Sequence, residues 1–334
     1  METFTPFGML GKGDRKMNST KKVRNSLLLV LASLIWGVAF VAQSKGGEAA
    51  GPYSFNCIRC IIGGIVLIPV IKMLDKLGLT SKKPITKEQK RTLLLGGLSC
   101  GAALFVAGTL QQLGIYYGSG AGKAGFLTAC YILLVPILSL FLKKRCGWNI
   151  WVAVSVAVIG LYLLCINGTF GLQISDILLL LCALVFAVHI LIIDRFSPLV
   201  DGVRLSCIQF FVSGLLGIMP MYFVEMKHSI EGLRDWAPLM ASWDVWVPIL
   251  YAGIMSCGVA YTLQIIGQNG LNPTIASLIM SLESVFSVIA GAILLKEKMS
   301  EKELVGCALI LGAIMLAQIP VEKVKGEEIG KVSN

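Results

Sequence analysis

Apolar runs of about 20 residues, the length a helix needs to cross roughly 30 Å of hydrocarbon, recur along this chain with no long polar segment between them. That pattern leaves few folds open. Backbone inside a bilayer must satisfy its own N–H and C=O groups, so such a chain folds as a bundle of membrane-spanning helices. We read ten spans, at 26–44, 54–73, 92–116, 121–142, 148–166, 174–193, 204–223, 246–267, 272–295 and 301–320. Composition agrees, because 56% of the residues are hydrophobic, 14% are charged and the mean hydropathy is +0.79, beyond the range of ordinary soluble domains.

The net charge of +10 would point to nucleic acid in a soluble protein. Here its distribution matters more. With the N-terminus inside, most of the 29 lysines and arginines fall at 12–24, 72–91, 143–145, 195–204 and 323–331, while the outer loops hold Lys45, Lys227, Arg234, Lys296, Lys298 and Lys302. The positive-inside rule then makes this a multi-pass protein of the cell inner (plasma) membrane with both termini cytoplasmic. Its expected partners are the lipid bilayer and a small-molecule substrate, not nucleic acid. The basic start followed by an apolar run also fits a cleaved signal peptide, but the repeat described next assigns that run to a first helix. Nine of the ten cysteines lie in apolar spans and Cys146 in an inner loop, so they read as small packing residues. Cys57-x-x-Cys60 has no second pair or histidine near it, so neither a metal site nor a cofactor is expected.

Shifting the sequence by 150 residues lays LASLIWGVAFVAQSK, from Leu31, on LCALVFAVHILIIDR, from Leu181. Leu31, Leu34 and Val38 recur as Leu181, Leu184 and Val188, and Trp36 falls on Phe186. The same shift lays Cys57-Ile58-Arg59 on Cys207-Ile208-Gln209. At a shift of 153, Thr109-Leu110-Gln111 matches Thr262-Leu263-Gln264, and at 152 Tyr131 meets Glu283 and Gly160 meets Gly312. The chain therefore reads as a duplication, with a first repeat at 25–167, a second at 174–320, and cytoplasmic tails at 1–24 and 321–334. Five spans per copy is an odd number, so the second copy enters the membrane upside down. The fold class expected is an all-α integral membrane protein of ten helices in two inverted-topology five-helix repeats, the plan of secondary transporters that bind substrate near the midplane.

The motifs LIWGVAFVAQ in span 1, AGKAGFLTACYILLVP in span 4, LCALVFAVHILIIDRFS in span 6 and NPTIASLIMSLESVFSVIAGAILLKEKMS in span 9 resemble those of the drug/metabolite transporter superfamily, in its ten-helix form with two EamA domains. The resemblance covers nearly everything after Asn18. It implies an exporter or exchanger of amino acids, metabolites or drugs. Many members carry Glu-Pro in span 9, where this chain has Glu283-Ser284.

At about 1.5 Å of rise per residue, position in a span converts to depth. Glu283 falls near the centre of the bilayer, with Trp36 and Tyr131 at similar depth; Arg59 and Gln111 fall in the outer third, and Lys123 near the outer end of span 4. An ionisable group at mid-bilayer normally faces a cavity or a partner. Glu283 is thus the first candidate, either to bind a substrate ammonium or to take up a proton as coupling ion; the alternative is a structural ion pair with Arg59. Trp36 and Tyr131 suit either an aromatic wall around substrate or plain packing. Gln111 and Gln264, repeat equivalents at opposite depths, suit either the lining of two vestibules or interhelical hydrogen bonds. Lys123 closes GSGAGK, which misses the phosphate-loop pattern because Tyr117 stands where the first glycine belongs and Ala124 where the hydroxyl belongs. Two readings of it remain, an anion site at a helix start and a lysine snorkelling to the headgroups.

Other classes are less well supported. Two histidines, and neither G-x-S-x-G nor H-E-x-x-H, leave an intramembrane enzyme with little to work with. A passive channel or a lipid scramblase needs no such chemistry and stays open.

Overall fold

The computed structural model describes residues 19–80, 82–118, 121–142, 147–165, 173–294 and 300–319. All the regular structure among them is helical. The chain runs through α1 (Ser19–Ala50), α2 (Pro52–Lys76), α3 (Lys87–Tyr116), α4 (Ala121–Ala129), α5 (Tyr131–Phe141), α6 (Trp148–Cys165), α7 (Ile174–Phe196) and α8 (Gly202–Pro220). It continues through α9 (Ile230–Leu239), α10 (Trp243–Leu250), α11 (Thr262–Gln268), α12 (Pro273–Met280), α13 (Leu282–Leu294) and α14 (Glu301–Gln318). Two π-helical stretches, Met221–Glu225 after α8 and Tyr251–Tyr261 between α10 and α11, splice neighbouring helices into longer ones.

Eight helical stretches among the described residues are long and apolar enough to cross a membrane: α1, α2, α3, Ala124–Phe141, α7, Gly202–Glu225, Trp243–Gln268 and Pro273–Ala290. Two shorter apolar helices, Trp148–Leu163 and Leu304–Ala317, complete the bundle. The protein is a multi-pass membrane protein, all-helical over its described residues. Its outward faces carry Leu27, Leu31, Ile65, Leu94, Leu98 and Leu181, all well exposed, as suits side chains whose solvent is lipid.

Helix starts follow local chemistry. At α3, the Thr86 hydroxyl accepts from the Gln89 N–H at 3.2 Å and the Gln89 side chain accepts from the Thr86 N–H at 3.1 Å, a capping box that satisfies two otherwise free donors. Asp201 caps α8 by accepting from the Arg204 N–H at 2.9 Å. Asn272 caps α12 by accepting from the Thr274 N–H at 2.8 Å, with Pro273 in the first turn, where its missing N–H costs nothing.

Packing is close and partly polar. α6 lies along α14, α2 along α8, α3 against α7 and α8, and α1 against α13 and the 251–261 stretch. Small residues permit this approach: a Cβ on Gly37 would sit 2.6–2.8 Å from Phe286 and the Ser287 N–H. Between helices, Asn25 donates to the Asn269 carbonyl at 2.9 Å and Thr262 to Ser206 at 2.8 Å, the hydrogen bonding expected where water is absent. The eight cysteines described are free thiols.

Two of the expected spans differ from the sequence reading in one respect: each is broken in the middle. The span read at 121–142 divides into α4 and α5 at Cys130, and that at 272–295 into α12 and α13 at Ser281. Tightened i→i+3 bonds mark both breaks, from the Leu133 N–H to the Cys130 carbonyl at 3.0 Å and from the Ser284 N–H to the Ser281 carbonyl at 3.1 Å. The second break needs no proline. Ser277 and Ser281 turn their hydroxyls back onto the Thr274 and Leu278 carbonyls at 2.8 and 2.7 Å, which weakens the helical ladder locally.

Candidate functional site

Trp36, Arg59, Gln111, Tyr131, Gln264 and Glu283 all line one cavity inside the bundle. They come from α1, α2, α3, α5, α11 and α13. Lys123 lies on α4; its side chain falls outside the described residues.

The breaks position the two central groups. Each places a residue just past a tightened turn, Tyr131 at the start of α5 and Glu283 in the first turn of α13. There they meet: the Tyr131 hydroxyl donates to Glu283 Oε1 at 3.1 Å, with both side chains buried. The two residues that the duplication pairs are therefore in contact with each other.

Arg59 lines the same cavity, 6% exposed, yet no ion pair joins it to Glu283 among the described residues. Its guanidinium instead donates through Nε and Nη2 to Asn56 Oδ1, at 3.1 and 2.8 Å. Asn56 is held in turn by donating to Thr109 at 3.2 Å, and the guanidinium lies 5.4 Å from the centre of the Phe55 ring. Asn56 is neutral and takes up hydrogen bonds, not charge. A basic and an acidic side chain thus line one small space without pairing with each other among the described residues.

Around them, several polar atoms are left over. Among the described residues, Trp36 Nε1, Gln264 Oε1 and Gln43 Oε1 are buried with no hydrogen-bond partner, and all three residues line the cavity. Buried polar atoms are normally paired, so unpaired ones gathered round a cavity suit a polar ligand. Gln111 reaches Thr128 at 3.5 Å, a weak contact between helices. Trp36 packs edge-on against Tyr261, ring centres 4.8 Å apart, and Tyr261 against Phe210 at 5.5 Å, so the aromatic wall is a cluster.

Sequence reasoning missed Tyr261, Ser256, Gln43 and Phe186 as lining residues. Phe186 was within reach, being the repeat equivalent of Trp36. Tyr261 and Ser256 were not, because the π-helical stretch 251–261 sets their facing and hydrophobic spacing does not announce such a stretch; π segments do tend to mark functional sites.

The cavity is narrow: about 40 Å³ is open to the centre of a water molecule, room for about three waters.

A model of the EamA-like transporter family matches the chain twice, at residues 24–166 and 173–318. An uncharacterized transporter of Archaeoglobus fulgidus is 28% identical over 302 residues, covering 90% of this chain and 88% of the relative. The threonine/homoserine exporter RhtA of Escherichia coli is 25% identical, covering 89% of this chain and 92% of the exporter. A solved crystal structure of 17% identity aligns with a TM-score of 0.68 over 88% of this chain and 96% of its own, a likeness of fold. With its membrane-spanning helices, its cavity of buried polar groups and relatives that carry the name of transporters, the chain belongs to the EamA-like transporter family.

Proposed function

We propose that the protein is a secondary-active transporter, an exporter or exchanger of small metabolites such as amino acids, working by alternating access about the cavity between its halves. The observation that carries the reading is the Tyr131–Glu283 contact at two broken helices, inside a narrow cavity that Arg59 also lines. Discontinuous helices meeting at the midplane are how transporters of inverted-repeat design build their sites.

The packing supports ten helices in two inverted repeats, 25–167 and 174–320. Under the shift of about 150 residues, α2 and α8 exchange places, as do α6 and α14, and both pairs lie side by side. The contact of α3 with α7 likewise exchanges with that of the 251–261 stretch with α1. Basic residues at 72–91 and 195–204 support cytoplasmic termini in the plasma membrane.

Arg59 and Glu283 give the cavity two poles, suited to the carboxylate and ammonium of a zwitterion, with the ring cluster beside them for an apolar side chain. The printed name of RhtA, a threonine/homoserine exporter, agrees with that class; an amphiphilic drug would use Glu283 and the rings alone. Glu283 is also the group to carry a proton when substrate leaves. The narrowness of the cavity, with room for about three waters, favours a carrier over a passive channel or scramblase. The test is uptake of labelled threonine and other neutral amino acids into proteoliposomes. Saturable flux accelerated by unlabelled substrate inside is expected, and a linear flux without counterflow overturns the reading.

A further inference from the structure

α2 and the Gly202–Glu225 helix lie side by side, and their contacts come in matched sets. Near the middle, Cys57 donates to the Gly214 carbonyl at 3.3 Å and Cys207 to the Gly64 carbonyl at 3.5 Å. The partners in one bond stand 150 residues from those in the other. A carboxylate closes each end. At one end, Glu225 accepts from the Tyr53 and Ser54 N–H groups, both at 2.7 Å, and from the Ser54 hydroxyl. It thereby caps α2, whose own cap position is Gly51, a residue with no side chain and a φ of 85°. Trp236, on α9, donates to the same Ser54 hydroxyl at 2.7 Å. At the other end, both oxygens of Asp75 accept from Arg204 Nη2 at 2.6 Å, Thr80 donates to Asp75 at 2.7 Å, and Lys83 lies 3.2 Å away.

Asp75 and Glu225 are 150 residues apart, and so are Ser54 and Arg204. The same positions of the duplicated chain therefore tie the same pair of helices at opposite ends, with different chemistry. One tie is a carboxylate on backbone N–H groups beneath a tryptophan; the other is an ion pair reaching into a basic loop. Neither carboxylate lines the central cavity, so neither is occupied with substrate. Both ties are made here, and the central cavity has room for only a few waters.

We infer that Asp75 and Glu225 are the positioning residues of the transport cycle, each holding one face shut and releasing only when that face opens. This rests on the alternating-access reading. A helix pair packed tightly at its middle and tied at both ends can part at one end only when that tie breaks, so removing a tie shifts the population toward opening on its side. On the charge distribution, Glu225 guards the outer face and Asp75 the cytoplasmic one.

The test uses the full chain with Ser256→Cys in the cavity, labelled by a membrane-impermeant thiol reagent in right-side-out and inverted vesicles, with the parent protein as background. Glu225→Gln should raise the labelling rate from outside and Asp75→Asn that from inside, each by about tenfold if one charge-assisted bond is lost, and neither from the other side. If Glu225→Gln or Asp75→Asn fails to reach the membrane, Trp236→Phe and Thr80→Val each delete one donor to a tie and should move labelling in the same directions by less. Rates equal to the parent from both sides, in protein whose flux is saturable, overturn the ties and leave the carrier reading intact. A flux that is linear and unsaturable overturns the carrier reading first, and the ties with it.

Discussion

Glu283 is buried with one hydrogen-bond donor, the Tyr131 hydroxyl. Glu283→Gln keeps the shape and removes the ionisable group, so it should stop transport while the protein still reaches the membrane. Undiminished flux across the pH range would make the acid scaffolding. Tyr131→Phe deletes the donor alone; a hydrogen bond between side chains is worth about 0.5–1.5 kcal/mol. The substrate concentration for half-maximal flux should therefore rise by up to about ten-fold, measured as initial uptake rates. Arg59→Lys is the matching test at the other pole. Asn56 Oδ1 accepts from two nitrogens of one planar group, a fork that an ammonium cannot reproduce. Amino acid competition should weaken by about tenfold, or about 1.4 kcal/mol, whereas competition by the corresponding amine lacking its carboxylate should not change. Equal losses for both competitors would show that Arg59 does not read the carboxylate.

Among the elements, hydrophobic run length was enough to find the eight long apolar helices of the described residues, because in a bilayer length and apolarity are what a spanning helix requires. Breaks and π-helical stretches were harder to read. They arise where serine hydroxyls compete for backbone carbonyls, as at Ser277 and Ser281, and serines occur in unbroken helices as well. Glu283 and Tyr131 were legible by depth and by their alignment with each other; that they touch was not, since contact depends on where the two copies cross. The short amphipathic helix α9 falls in a polar loop that no apolar run marks. Small residues supply a test at this scale. Gly160 and Gly312 are aligned by the repeat, yet a Cβ at Gly160 would lie 2.9 Å from the Gly306 carbonyl and Ile310, while one at Gly312 would meet nothing within 4 Å. Gly160→Ala should destabilise by about 1–3 kcal/mol through overpacking, and Gly312→Ala should be neutral or slightly stabilising, by up to about 1 kcal/mol. Thermal unfolding in detergent compares them directly, and a loss of stability in Gly312→Ala equal to that in Gly160→Ala would contradict the packing described.

For the whole molecule, inversion makes the central expectation. The loop after α5 and the loop before α14 are repeat equivalents, so Gly147→Cys and Ser300→Cys should react with an impermeant thiol reagent from opposite sides of the membrane. Labelling of both from one side would make the copies parallel and remove the symmetry on which alternating access depends. Duplication also explains why the site is uneven. The copies supply tyrosine against glutamate, arginine against glutamine, and tryptophan against phenylalanine, so aligned positions carry unlike side chains. The proposed transport of a zwitterion needs that inequality, since the two ends of such a cargo differ.

The trans cap on α2 bears on biogenesis. Residues of the first half leave the ribosome well before Glu225 is made, so the start of α2 enters the membrane with the N–H groups of Tyr53 and Ser54 still unclaimed. Its final seat must wait for Glu225, synthesised about 170 residues later. A nascent chain arrested before that point should remain open to protease at the turn around Gly51, and one released after it should be protected.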